Sequence, residues 1–326
     1  MRVARFIAVL TAAAIALAVP RTGAAQPLHP QHHIQRDLRE AVPAARVTAH
    51  EWGVFVLEQG QLVHLQEIAA ELPPFVHRGN GPLGGALPPP VIRPGGGTLA
   101  RKPVLFLYAD APVDVRVEVG FAGGAPWFHY PAGHRVAAGL AAGAPGLVWD
   151  VRIEPHARVP FAPAPPGHFW EDLRRGGGRT VVAADGTAEA FIFYDGPVDF
   201  QRPFLIGRHG TGAAVTPSSS ERTIFIVDRG MYAESDVDPR SWTASPRGTG
   251  DAWMLRARLD AELRARGLTP GESASLLDTW RDDLFTDPRP RAIYFVPRDM
   301  YDRMLPIRIT PEPVELVRVG LVIHRM

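Results

Sequence analysis

The 326-residue sequence contains no cysteine. That one absence excludes disulfide bridges, thiolate metal centres and a lipid-modified N-terminal cysteine together. Lysine is nearly missing as well: Lys102 stands alone among 35 basic residues. The arginine bias fits the codon usage of a GC-rich genome, and a surface that recognises anions would show it too. No run of about 18 apolar residues recurs, so no membrane-spanning helix is expected. The HExxH zinc string, the GxSxG nucleophile elbow and the P-loop and dinucleotide fingerprints are also lacking, which removes the usual sequence routes to those chemistries.

Glycine and proline are abundant instead, 32 and 33 residues, and such a composition favours turns over long helices. With 46% hydrophobic residues, the chain can bury a substantial core. At the N-terminus, Arg2 and Arg5 precede an apolar run from Phe6 to Val19 and a small-residue exit, Thr22-Gly23-Ala24-Ala25. Residues 1–25 therefore read as a secretory signal cleaved after Ala25, placing the mature protein in the periplasm or outside the cell. Cleavage removes Arg2, Arg5 and Arg21 and no acid, so the formal net charge falls from +1 to about −2. A mildly acidic, exported protein is a poor partner for nucleic acid. Residues 26–46, with His29, His32 and His33 among polar residues, read as a flexible tether.

The globular part is expected from Thr48 onward. Trp52–Leu57 and Leu62–Gln66 have the spacing of a hairpin, and 67–100 is a long loop punctuated by Pro and Gly. Val104–Tyr108 is continuously apolar, as a strand covered on both faces should be, while Val113, Val115, Val117 and Val119 alternate with Asp114, Arg116 and Glu118. Further strands are expected at 147–153, 179–183, 190–194, 223–227, 292–296 and 314–323. Helix is expected only late in the chain. Leu255, Leu259 and Leu263 form one stripe, and Thr269-Pro270-Gly271-Glu272 opens a second helix with a capping box. The expected class is thus mainly β (α+β): an antiparallel β-sandwich-like core with a C-terminal helical hairpin. The β-rich domain would cover 47–230, with the helices and closing strands of 231–326 packed on the same core.

Five strings carry a resemblance: His50-Glu51-Trp52-Gly53-Val54-Phe55, Lys102 to Tyr108, Phe191-Ile192-Phe193-Tyr194, Thr279-Trp280-Arg281-Asp282 and Tyr294-Phe295-Val296-Pro297-Arg298. Together they resemble an uncharacterised family of secreted bacterial proteins that open with a HEWGTF-type string. The resemblance spans most of the mature chain and implies export and a shared fold, without an established activity. Val54 stands where that family usually has threonine, and Asp195 where an arginine is common. His50, Glu51, Trp52, Trp280, Arg281 and Asp282 are the positions of interest it marks.

Read as chemistry, His50 and Glu51 are neighbours whose side chains leave a strand on opposite faces, so they cannot share a metal ion. A hydrogen-bonded polar pair tying the hairpin to the loop is expected. His129 and His134 bracket a turn and are candidate metal ligands, with Glu51 or Asp150 completing a mixed site. Trp127 with Tyr130, and Trp170 beside Glu171 and Asp172, are candidate sugar-stacking positions; Trp149-Asp150 is a second aromatic–acid string. Gly176-Gly177-Gly178 is expected at a flexible hairpin tip. No cofactor is implied. These features favour a non-catalytic extracytoplasmic module binding a glycan, an envelope component or a protein. The alternative is a metal-assisted or acid–base hydrolase drawing histidines and carboxylates from separate loops.

Overall fold

The computed structural model describes residues 45–57, 71–78, 98–157, 159–200, 202–209, 212–217, 219–238 and 243–326. The expected leader, most of the tether and most of loop 67–100 lie outside them.

The first half of the chain contributes strands β1 (Val47–Leu57), β2 (His77–Arg78), β3 (Thr98–Ala109), β4 (Val113–Gly120), β5 (Phe128–Tyr130), β6 (His134–Val136) and β7 (Gly146–Glu154). A short helix, α1 (Phe169–Arg174), leads to β8 (Thr180–Ala183), β9 (Ala188–Glu189) and β10 (Ile192–Val198). Then come β11 (Phe204–His209), β12 (Gly212–Pro217), β13 (Thr223–Asp228), β14 (Met231–Asp238) and β15 (Thr243–Asp251). Helices α2 (Ala252–Ala265) and α3 (Pro270–Thr279) follow, with a π-helical turn at Asp282–Thr286. Last are β16 (Arg291–Val296), α4 (Arg298–Met304), β17 (Ile307–Thr310) and β18 (Glu315–Arg325).

Two large antiparallel-rich sheets, with β11 and β12 as a separate two-stranded pair, make the fold mainly β. The larger runs β15-β14-β13-β16-β18-β1-β3-β10-β5-β2, and the smaller runs β17-β4-β7-β8-β9 with β6 also on β7. At the centre of the larger sheet, β1 lies parallel to β18 and antiparallel to β3. Both of its edges are therefore taken, so the hairpin expected with Leu62–Gln66, itself outside the described residues, has no edge of β1 to use. A register shift in the β1–β3 pairing between Trp52 and Val54 falls opposite Lys102 and Pro103, where a residue without an N–H is tolerated.

Alternation along β1 divides the interior in two. Val47, Ala49, Phe55 and Leu57 meet Val115, Val117, Trp149 and Val151 of the smaller sheet. Trp52, Val54 and Val56 share the opposite core with Leu255, Leu259, Leu263, Leu276 and Leu277 of α2 and α3. The strand of Val104–Tyr108 behaves likewise, sending Leu105 and Leu107 to one core and Val104 and Phe106 to the other. The arrangement is a helical layer, a large sheet and a small sheet, more than the two plain layers of a sandwich.

Several elements were not foreseen, α1, α4, β14 and β15 among them. Helix α1 starts with His168, whose Nδ1 accepts from the Trp170 amide, a cap outside the usual Ser/Thr/Asp/Asn set. Helix α4 follows Pro297 with no side-chain cap at all. Strands β14 and β15 carry Asp, Ser, Pro and Gly in place of an apolar alternation, and Pro246 is tolerable because β15 ends the sheet. The glycine run 176–178 is also no free hairpin tip. A Cβ on Gly176 would meet the Phe106 ring at 2.3 Å, and one on Gly178 would meet the Ala190 carbonyl oxygen at 2.3 Å. Only a chain without side chains can pass so close to that ring.

Candidate functional site

β1 sends His50 and Glu51 to opposite faces, and each is the centre of its own buried cluster. On the helical side, His50 Nδ1 lies 3.1 and 3.0 Å from the two carboxylate oxygens of Glu272. Glu272 is the N3 residue of the α3 capping box: its Oε2 accepts from the Thr269 amide at 2.8 Å, and its own amide donates to Thr269 Oγ1 at 3.2 Å. Tyr108 on β3 donates its hydroxyl to Glu272 Oε1 at 2.6 Å. Burial acts to raise the Glu272 pKa, but the hydrogen bonds from His50, Tyr108 and the Thr269 amide outweigh it and hold the carboxyl below its ordinary range. Burial, reinforced by the Glu272 charge, pushes the Tyr108 phenol up. An ionised carboxylate only accepts, so the His50 proton sits on Nδ1. Nε2 of His50 is buried and makes no hydrogen bond with any described residue.

On the inter-sheet side, Glu51 is completely buried beside Arg318 of β18, the residue in register with it. Arg318 Nε donates to Glu51 Oε2 at 2.5 Å, and Tyr301 and Tyr194 both donate to Oε1, the former at 2.9 Å. The guanidinium lies 4.4 Å over the Tyr301 ring and donates through Nη1 to Asp302 Oδ1 at 2.7 Å. Burial, with the Glu51 charge behind it, drives both tyrosine pKa values far up. Gly53 belongs to this centre for a steric reason, since a Cβ there would lie 2.7 Å from the Tyr301 hydroxyl. Both carboxylate oxygens of Glu51 are occupied, so the expected His50–Glu51 pair is corrected to two separate anchors, one holding α3 and the other β10, α4 and β18.

The remaining candidates scatter. Trp127, Tyr130 and Trp170 are buried, and Trp170 Nε1 donates to Glu189 Oε2 at 2.8 Å beside an Arg174–Glu189 ion pair. Tyr130 and Trp170 meet each other and Phe75 ring to ring. Their faces are covered by protein, which corrects the sugar-stacking expectation. Trp280 is in the core; Arg281 is exposed near Asp278, and Asp282 opens the π turn with its backbone carbonyl accepting from Asp287. Of the expected metal ligands, His134 is exposed on β6 and His129 is buried on β5. Glu51 is committed to Arg318, and Asp150 to Arg116 at 2.9 Å on the outer face of the small sheet. Among the described residues no three histidines or carboxylates gather at a spacing suited to a metal ion.

His129 has an unforeseen companion. Its ring stacks on His77 at 5.1 Å and 25°, meets Trp149 edge-on, and places Nε2 3.2 Å from the Gly133 carbonyl. Burial, with His77 and Arg135 adding to it, lowers the His129 pKa to about 4.

Exposed apolar groups meet at one corner. Trp253 is 78% exposed and its neighbour Met254 50%, both in the first turn of α2; Met231, 54% exposed, pairs with Asp251 just before that turn. Every other tryptophan among the described residues is buried. Sequence reasoning missed this corner, because Trp253-Met254 abuts the Leu255 stripe and reads as more core. It missed Arg318, although a lone arginine in an apolar strand signals a buried acid. No described helix is long and apolar enough to cross a membrane. Comparison with protein-family models, curated proteins and solved structures found no match to this chain.

Proposed function

We propose that the protein is an exported, non-catalytic envelope module that docks a protein partner through the corner where β14, β15 and α2 meet. The carrying observation is the exposure of Trp253 together with Met254 and Met231, in a chain whose other described tryptophans are all inside. Water-facing apolar patches mark contact surfaces, and Trp and Met are enriched at protein interfaces. The corner is also the end of the large sheet, and among the described residues β15 pairs only with β14, leaving an edge on which an extended segment of a partner can add. Export rests on the Arg-flanked apolar leader and on the resemblance to secreted proteins.

The test separates docking from folding. Trp253→Ala is expected to leave stability within about 0.5 kcal/mol of the parent, as exposed substitutions do. It should also abolish co-sedimentation of the mature protein with the envelope fraction that the parent binds. Equal binding by parent and variant would remove the corner from the account.

A further inference from the structure

Strands β2 and β5 pair antiparallel with His77 directly opposite His129. Directly opposed residues project from the same face of a sheet with Cβ atoms about 5 Å apart, which is why the two rings stack. The Gly133 carbonyl can only accept, so in the neutral ring His129 carries its proton on Nε2 and its Nδ1 is a bare lone pair. That Nδ1 is buried and makes no hydrogen bond with any described residue, and the same holds for Nε2 of His77. Buried polar nitrogens are normally paired. Here each of two facing imidazoles, their centroids 5.1 Å apart, keeps one buried nitrogen without a hydrogen bond to any described residue.

We infer that His77 and His129 form a two-histidine site for a borderline divalent metal ion, His129 binding through Nδ1 and His77 through Nε2. The carbonyl of Gly133 plays the part such outer groups play around metal-bound imidazoles, fixing the tautomer and the ring orientation. Ligand chemistry sets the class of ion. Two neutral imidazoles in a chain without cysteine suit copper(II), nickel or zinc and disfavour calcium and magnesium, and among these copper(II) binds tightest. Arg135, the nearby cation, is directed away onto the backbone carbonyls of Pro126 and Trp127. With two protein ligands the ion keeps open positions for water. The site takes the ligand role expected of His129 and replaces His134, which sits exposed on β6, with His77 from the other strand.

The probe is copper(II) alone, added to the mature chain with His29, His32 and His33 replaced by alanine so that the N-terminal tract cannot compete. About one equivalent should be retained in equilibrium dialysis, with an electron paramagnetic resonance spectrum showing two coupled nitrogens. His77→Gln should lose one nitrogen and weaken binding at least tenfold, and His134→Ala should change neither. His77 is half-buried, so this variant is the one to rely on if His129→Gln fails to fold. Ring proton resonances of the histidines in the otherwise unsubstituted chain give a second reading, since substoichiometric copper should broaden those of His77 and His129 first. Absence of bound copper, unchanged binding in folded His77→Gln, or earlier broadening of His134 would each overturn the site.

Discussion

At the scale of single residues, the Glu51–Arg318 pair joins two buried charges across neighbouring strands. Both side chains are fully buried, and removing one member of such a pair leaves an uncompensated charge, at a cost of about 3–5 kcal/mol. Glu51→Leu and Arg318→Met should each lower the stability read by chemical denaturation by that order. The double variant should recover part of the loss, with the Tyr194 and Tyr301 hydroxyls still lacking their acceptor. A double variant whose loss equals the sum of the singles would show that the two charges do not act as a pair.

Protonation gives a second test at this scale. Burial holds His129 and His324 down to about 4, against an ordinary value of 6.5. Each is then neutral in the fold at pH values where the unfolded chain is charged, so the unfolded state binds more protons and stability falls as pH drops from 6.5 towards 4. Glu272 acts lower: its carboxylate, held below 4.5, contributes fully above that value, and the contribution is lost as pH falls through the folded-state pKa. The urea midpoint should therefore decline in two stages. His129→Gln and His324→Gln should flatten the upper stage, Glu272→Gln the lower. A midpoint constant between pH 6.5 and 4.5 would contradict the histidine assignment.

At the scale of elements, α3 is held at its first turn by a residue with two duties. Thr269 and Glu272 satisfy each other's amides, and the same Glu272 carboxylate receives His50 and Tyr108. Thr269→Ala should cost about 1 kcal/mol as a lost cap, and somewhat more if freeing Glu272 also loosens His50. A change below about 0.3 kcal/mol in the denaturation midpoint free energy would mean that the cap does not hold the helix. The capping box was legible because its partners lie three residues apart. The His50 contact was not, since 222 residues separate it from Glu272. The valine alternation of β4 and the leucine stripe of α2 were legible for the same local reason. The pairing of β1 was misjudged because a nearby hairpin competes on paper with a strand from the far end of the chain, and only packing decides between them. A histidine cap hid α1, and their polar composition hid β14 and the edge strand β15.

At the scale of the molecule, the first and last described strands are neighbours: β18 sits between β1 and β16 and supplies Arg318 to Glu51. Deleting residues 315–326 should therefore abolish cooperative unfolding instead of trimming an end, since the cut removes an internal strand and orphans a buried carboxylate. A truncated chain that retained a cooperative transition by circular dichroism would show that the sheet closes without it. The string at His50–Phe55 is architecture, holding three layers together from the middle. The two proposed functional positions lie away from it, at the exposed corner of Met231, Trp253 and Met254 and at the partly buried histidine pair towards the opposite end of the large sheet.

The most direct measurement places a photo-crosslinking residue at position 253 in cells exporting the protein. The account predicts one defined adduct with an envelope protein, suppressed by Met254→Glu and absent when the same residue replaces exposed Arg303. Equal yields from positions 253 and 303, or adducts with cytosolic proteins alone, would contradict it.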